Sequence, residues 1–324
     1  MRKLLFVAAS CAFLLAGCNR SPDFYFRRAN ALLGRGKEAE ALENYNKALL
    51  LKRDFPEAYT ARGMLYERQG DRQKAGLDYR KAIDLNSSYL PAYNNLAAML
   101  MDGGNYGEAV KLLSSALEMS PGYPYALLNR GLARYKLGDC GGATMDLSRA
   151  LELNPKFELA YYHRALCARN AGNLPAALSD LDAVLALDPS ASLALFEKGK
   201  ALYALKDYQG AAAELGKAAG LKPEDPAYAY WLALALYRAG DLPAAFESAG
   251  RAAALKPESH QAEGLLGDVC AAMKDLPAAR EHYAKAAALA PAYAAAYKAR
   301  AAALERPAAP AVKRRAKPRN HKRG

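Results

Sequence analysis

The chain has 324 residues, with 45 Lys and Arg against 33 Asp and Glu and a formal net charge of +12. Lys313, Arg314, Arg315, Lys317, Arg319, Lys322 and Arg323 all lie in residues 307–324, which hold no acid. Without Arg2 and Lys3 at the start of the chain the total is +10, so the body between that start and the tail carries only about +3 and its fold is not a strongly basic one.

At the start of the chain, Arg2-Lys3, an apolar run over residues 4–15 and the tetrad Leu15-Ala16-Gly17-Cys18 read as a bacterial secretion signal. The run is too short for a bilayer-spanning helix, which needs about 20 residues. Small residues ahead of a cysteine resemble the lipobox of bacterial lipoproteins. That resemblance implies a signal peptide over residues 1–17, diacylglycerol on the Cys18 thiol and a further acyl chain, such as palmitate, on its new amino group. Residues 18–21 are then a lipidated tether. Two or three acyl chains hold a protein on a membrane stably where a single chain does not. Asn19 stands where aspartate would suggest inner-membrane retention in enterobacteria, which favours the outer membrane facing the periplasm. The alternative is an ordinary signal peptide that contains cysteines.

Residues 22–293 repeat every 34 positions without insertion. One series runs Gly63, Ala97, Gly131, Ala165, Gly199, Ala233, Gly267; a second is alanine throughout, from Ala41 and Ala75 to Ala245 and Ala279. A third gives Pro121, Pro155, Pro189, Pro223, Pro257 and Pro291. A constant period in this range means stacked supersecondary units. Residues 124–157 show what one unit contains. Leu127, Arg130, Gly131 and Arg134 share a face of a first helix, and Gly138-Asp139 ends it with a glycine C-cap and an acidic helix start. Ala143, Leu147, Ala150 and Leu151 keep the spacing of a buried stripe on a second helix, which Asn154-Pro155 closes. The small residues at the Gly131 and Ala143 places let the two backbones approach.

Gly63, Tyr66, Gly70, Ala75, Tyr79 and Ala82 in one unit, with Gly131, Gly138, Ala143, Ala150 and Pro155 in another, resemble the tetratricopeptide repeat. The resemblance implies an all-α fold: a right-handed superhelical solenoid of eight helix-turn-helix units over residues 22–293. Arg53 and Ser87 depart from it at the proline place, and Lys206 and Lys274 at the inter-helix glycine. Residues 294–306, with Tyr297, Ala301 and Leu304 in phase, read as a capping helix over the last unit. The tail, residues 307–324, is rich in proline and charge and is expected to be disordered. Its basic run suits anionic lipid or the cell wall, and a secreted chain gives it no nucleic acid to meet; a solvated tail without a specific partner is the alternative. Cys140 begins one second helix and Cys167 lies late in the next first helix, so a bridge between them and two reduced thiols both remain open.

Catalytic patterns are lacking. His163, His260, His282 and His321 are scattered, and no nucleophile motif or phosphate loop occurs, so no enzyme, cofactor or metal is implied. Asp180 and Asp182, flanking a core leucine, read as solvated. A second stripe on the first helices is the better candidate, because in the family that face tends to line the concave surface. It is Tyr125, Leu128, Leu132 and Tyr135 in the fourth unit, then Leu159, Tyr162, Leu166 and Arg169. Leu193, Phe196, Lys200 and Tyr203 follow, and then Ala227, Tyr230, Leu234 and Tyr237. Asn95, Asn129, His163, Glu197 and Trp231 lie beside it, and the eighth unit reverts to Gln261, Gly264, Asp268 and Ala271. An apolar stripe with phenol and indole groups suits a protein or peptide ligand. The alternative is that these rings pack between neighbouring first helices. Thr60, Met64, Asn95, Tyr125 and Asn129 stand where a clamp for a C-terminal carboxylate needs cations, which disfavours that ligand. The expected role is a non-enzymatic, lipid-anchored envelope scaffold for assembly of a pilus, a secretion channel or an exopolysaccharide exporter. The runner-up is a structural tether that docks through its basic tail.

Overall fold

A computed structural model describes residues 21–304. Among these residues there are seventeen α-helices, one short 3-10 helix and no strand. The leader, Cys18, the last two residues assigned to the capping helix and the basic tail lie outside the described residues. Two compact units divide the chain, residues 1–187 and 188–324.

The first unit holds five helix pairs: α1 (Pro22–Leu33) with α2 (Glu38–Leu51), α3 (Pro56–Arg68) with α4 (Arg72–Leu85), and α5 (Leu90–Asp102) with α6 (Tyr106–Met119). After them come α7 (Pro124–Lys136) with α8 (Cys140–Leu153), and α9 (Glu158–Asn170) with α10 (Leu174–Leu187). The second unit holds α11 (Ser192–Ala204) with α12 (Tyr208–Leu221), α13 (Pro226–Ala239) with α14 (Leu242–Leu255), and α15 (His260–Ala272) with α16 (Leu276–Leu289). The 3-10 turn Pro291–Tyr293 leads into α17 (Ala294–Ala303). Within a unit each second helix packs on its own first helix and on the first helix that follows.

The local chemistry explains the boundaries. Asp71, Asp139, Asp207, Asp241 and Asp275 each accept a backbone N–H three residues on, which supplies a partner for an otherwise orphaned donor at the start of the second helix. Gly70, Gly104, Gly138, Gly172 and Gly240 end first helices at positive φ, the conformation glycine adopts without a Cβ penalty. Lys206 and Lys274 occupy that place at φ 67° and bear the penalty.

Inside a pair, the recurrent alanines at Ala41, Ala75, Ala109 and Ala143 are fully buried. A Cβ added at Gly63 would come within 2.7 Å of the Tyr79 ring, and one at Gly131 within 2.7 Å of Leu147. One residue before this small-residue place, three of the repeats carry an arginine in a charged contact. Arg62 pairs with Asp78, Arg130 with Asp146 and Arg164 with Asp180, each through two guanidinium nitrogens at 2.7–2.8 Å. The third nitrogen of each arginine reaches back to the preceding second helix, to Asn46, Ser114 and Ser148 respectively. Such bidentate geometry is the strong form of an ion pair. In the second unit Lys198 and Glu214 take the same places at 3.2 Å.

Asp180 is therefore not solvated: it is 7% exposed and bound by Arg164. Its neighbour Asp182 is exposed.

Two outcomes follow for denaturant unfolding. Asp180→Ala leaves the Arg164 guanidinium without its carboxylate and lowers stability by about 3 kcal/mol or more. Lys206→Gly removes the left-handed penalty and raises stability by about 1 kcal/mol.

Candidate functional site

Each unit carries its own group of rings on the first helices of its pairs. In the first unit the group sits on α7 and α9. Tyr135, in the last turn of α7, meets His163 of α9 edge-on, with ring centroids 4.8 Å apart. Tyr162 meets the same imidazole at 5.3 Å. All three side chains are half-buried. Tyr125, at the start of α7, packs by its edge on Phe157 at 5.4 Å and is 51% exposed. Asn129 donates through Nδ2 to Asn94 Oδ1 at 2.7 Å, joining α7 to α5, and Asn95 next to Asn94 is half-buried. Arg169 closes α9, half-buried, with Nη2 donating to Asn170 Oδ1 at 3.4 Å.

Burial, aided by the Lys136 charge, pushes the His163 pKa down to about 4, so its imidazole is neutral at pH 7. Its Nδ1 is buried without a hydrogen-bond partner.

In the second unit the group spans α11 and α13. Phe196 stacks on buried Tyr228 at 4.4 Å. Lys200 places its ammonium over two rings, 5.1 Å from Phe196 and 5.6 Å from Trp231, and 3.1 Å from the Glu197 carboxylate. Trp231 takes the edges of Tyr203 at 5.7 Å and Tyr230 at 6.5 Å. Tyr237 lies under the Arg238 guanidinium at 5.8 Å. Arg238 also hydrogen-bonds Tyr203, which raises the pKa of its guanidinium. Burial raises the Tyr230 phenol.

The stripe is thus not uniformly solvent-facing. Leu128 and Leu166 are buried, at 9% and 7% exposure, and belong to the core. Most of the rings bridge neighbouring first helices while keeping one edge in water. What remains open is the first-turn position: Tyr125, Leu159 and Leu193, each more than half exposed. Thr60, at one of the places where a carboxylate clamp needs a cation, is buried, and its hydroxyl has no hydrogen-bond partner.

Asp268, which reads as a return to polar sequence, holds the end of the second unit together. Its carboxylate accepts from the Tyr283 hydroxyl at 2.8 Å and pairs with Arg300 of α17 at 3.1 Å. Tyr297 of α17 inserts over Gly264, where a Cβ would come within 2.6 Å of its ring, and donates to the His260 carbonyl at 3.1 Å. The phase of Tyr297 and Ala301 signalled this contact; Asp268 had a periodic signal too, because Asn30 and Tyr45 make the same contact seven periods earlier, and Arg300 stands at the place of Arg62, Arg130 and Arg164.

Among the described residues no group of three or more His, Cys, Asp and Glu is placed to hold a metal, and no helix is long and apolar enough to cross a membrane. Cys140, Cys167 and Cys270 are free thiols.

The family model described as "Tetratricopeptide repeat" matches residues 128–192, 168–226, 196–260 and 232–294. Related repeat models match residues 29–70, 98–138 and 56–89. A comparison with curated proteins found no match. Among solved structures, PilW, titled a widely conserved type IV pilus biogenesis factor, is 22% identical, with 64% of this chain and 96% of that one covered and a TM-score of 0.56. Pseudomonas aeruginosa pilF is 20% identical, with coverage of 64% and 94% and a TM-score of 0.59. The APC/C hetero-tetramer Cut9-Hcn1 is 18% identical, with coverage of 90% and 58% and a TM-score of 0.53. At these identities the likeness is one of fold.

The neutral His163 has a consequence in acid. Below about pH 6.5 the unfolded chain binds a proton that the folded state refuses until about pH 4, so stability falls as pH drops through that window. His163→Phe keeps a ring against Tyr135 and Tyr162 and removes the proton site. Denaturant midpoints at pH 7 and pH 5 should differ less in this variant than in the wild type.

Proposed function

We propose that this chain, a member of the tetratricopeptide repeat family, is a lipid-anchored scaffold of the bacterial envelope that holds a protein or peptide segment along its first helices. The fold itself makes it an interaction scaffold. The observation that carries the partner reading is an open apolar position ahead of half-buried rings at the next turns in each unit taken by itself, Tyr125 and Leu159 in the first and Leu193 in the second. Side chains of this kind gain most when a partner removes their remaining edge from water.

Asn95, Asn129 and Arg169 supply polar groups for a backbone; Lys200, Trp231 and Tyr237 supply mixed polar and aromatic surface. The role needs no catalysis and no cofactor. The leader sequence ending at Cys18 supports anchoring by acyl chains, and Asn19 supports the outer membrane. The assembly served is a pilus, a secretion channel or an exopolysaccharide exporter. PilW, titled a pilus biogenesis factor, shows this fold put to the first of those uses.

The second reading, a tether, rests on the acid-free basic tail over residues 307–324. Capture of envelope proteins in detergent separates the two. Tyr125→Ser, Leu159→Ser and Leu193→Ser together should reduce recovery of the partner by about tenfold or more while the helical circular dichroism is unchanged. Removal of residues 307–324 should leave recovery intact. The reverse pattern would support the tether and overturn the docking face. Cys18→Ser should lose both palmitate labelling and sedimentation with membranes; retention of either contradicts the anchor.

A further inference from the structure

Cys140 and Cys167 meet in a surface cleft of the first unit. Cys140 is the first residue of α8 and half-buried, whereas Cys167 is buried on α9. Both line a cleft of about 600 Å³ together with Tyr135, Lys136, Asn170 and Ala171. The Cys167 thiol is hydrogen-bonded to the Cys140 side chain and to that of Thr144. Nothing in the docking reading uses this pair.

We propose that Cys140 and Cys167 form a thiol-modification site that takes small-molecule disulfides of the glutathione class and closes to a bridge between the fourth and fifth repeats. Cys140 is reached from the cleft and reacts first. Its thiolate attacks one sulfur of oxidised glutathione, the glutathione S–S bond breaks, and one glutathione leaves as thiolate. Burial above all, and the contact with Cys140, push the Cys167 thiol up to about 12, so it stays protonated through this step. Cys167 then gives its proton to the departed glutathione thiolate and attacks the Cys140 sulfur of the mixed disulfide. The second glutathione leaves and takes up the proton that Cys140 released. In sum, two protein thiols are oxidised to one disulfide and one oxidised glutathione is reduced to two thiols.

The surroundings fit this chemistry. Lys136 on the cleft offers a cation to the carboxylates of the incoming tripeptide. Tyr135 lines the same cleft and packs on His163, so closure would tie α8 to α9 next to the Tyr135–His163 contact.

The test is peptide mapping of the full chain after treatment with oxidised glutathione, alkylation of remaining thiols and trypsin digestion. Cleavage after Lys136, Arg149, Arg164 and Arg169 isolates Cys140 in residues 137–149 and Cys167 in residues 165–169. The expected product is these two peptides joined, about two mass units lighter than the reduced pair. Cys167→Ser should stop at a glutathione adduct on Cys140, and Cys140→Ser should leave Cys167 alkylated and without adduct. A stable adduct on Cys140 beside an alkylated Cys167 in the wild type would overturn the proposal. So would linkage of either residue to another cysteine, or two unmodified thiols.

Discussion

The close crossing of two helices within each pair is the contact on which the rest of this structure depends. At Gly63, Gly131, Gly199 and Gly267 an added Cβ would lie 2.5–2.7 Å from the side chain sixteen residues on, which is Tyr79, Leu147, Leu215 or Tyr283. A small residue on one helix and a large one on the other is how a core reaches crystal-like density without strain. Because the period never slips, the crossing recurs in register, and the neighbouring positions recur with it. Arg62, Arg130 and Arg164 each sit one residue before the crossing and meet an aspartate sixteen residues on. Where the arginine is absent, Lys198 keeps a cation at the place, Leu96 and Leu266 fill it buried, and Leu232 is half-buried there. That exchange is physically reasonable, since a buried ion pair and a well-packed apolar residue have similar net worth.

The same geometry gives the first helices their outward chemistry. Their rings are partly consumed in holding neighbours together: Tyr135 on His163 in the first unit, and Phe196 on Tyr228 and Tyr203 on Trp231 in the second. A residue so placed contributes to stability and, on the proposed partner reading, to the docking face as well, so removing it would disturb both. The first-turn positions Tyr125, Leu159 and Leu193 are exposed enough to answer for binding alone. This division between rings that pack and side chains that remain open gives the partner reading its specific form.

Much of the fold was legible in the chain because period, turn glycines and aspartate caps each act locally. Even Lys206 and Lys274, which break the glycine rule, adopt the conformation the rule demands. Two things were not legible from one helix at a time. Leu128 and Leu166 fall on the outward side of a helical wheel, but a wheel does not show how much of that side a neighbouring helix covers. Asp180 next to a core leucine looked solvated because its partner lies on another helix. The signal existed: Arg62, Arg130 and Arg164 keep the period, Asp78, Asp146 and Asp180 keep it too, and the two series stand sixteen residues apart. A paired periodicity of opposite charges points to a recurrent ion pair.

The central claim is that a polypeptide lies on the first helices and not on the second. Site-specific photo-crosslinking in intact envelopes tests it most directly, with a photoreactive residue placed at Tyr125 or Leu159 and, in parallel, at Leu77 or Met145. All four are more than half exposed, the first two on first helices and the last two on second helices. The account predicts discrete protein adducts from 125 and 159 and none from 77 and 145. Adducts from the second helices alone would contradict it.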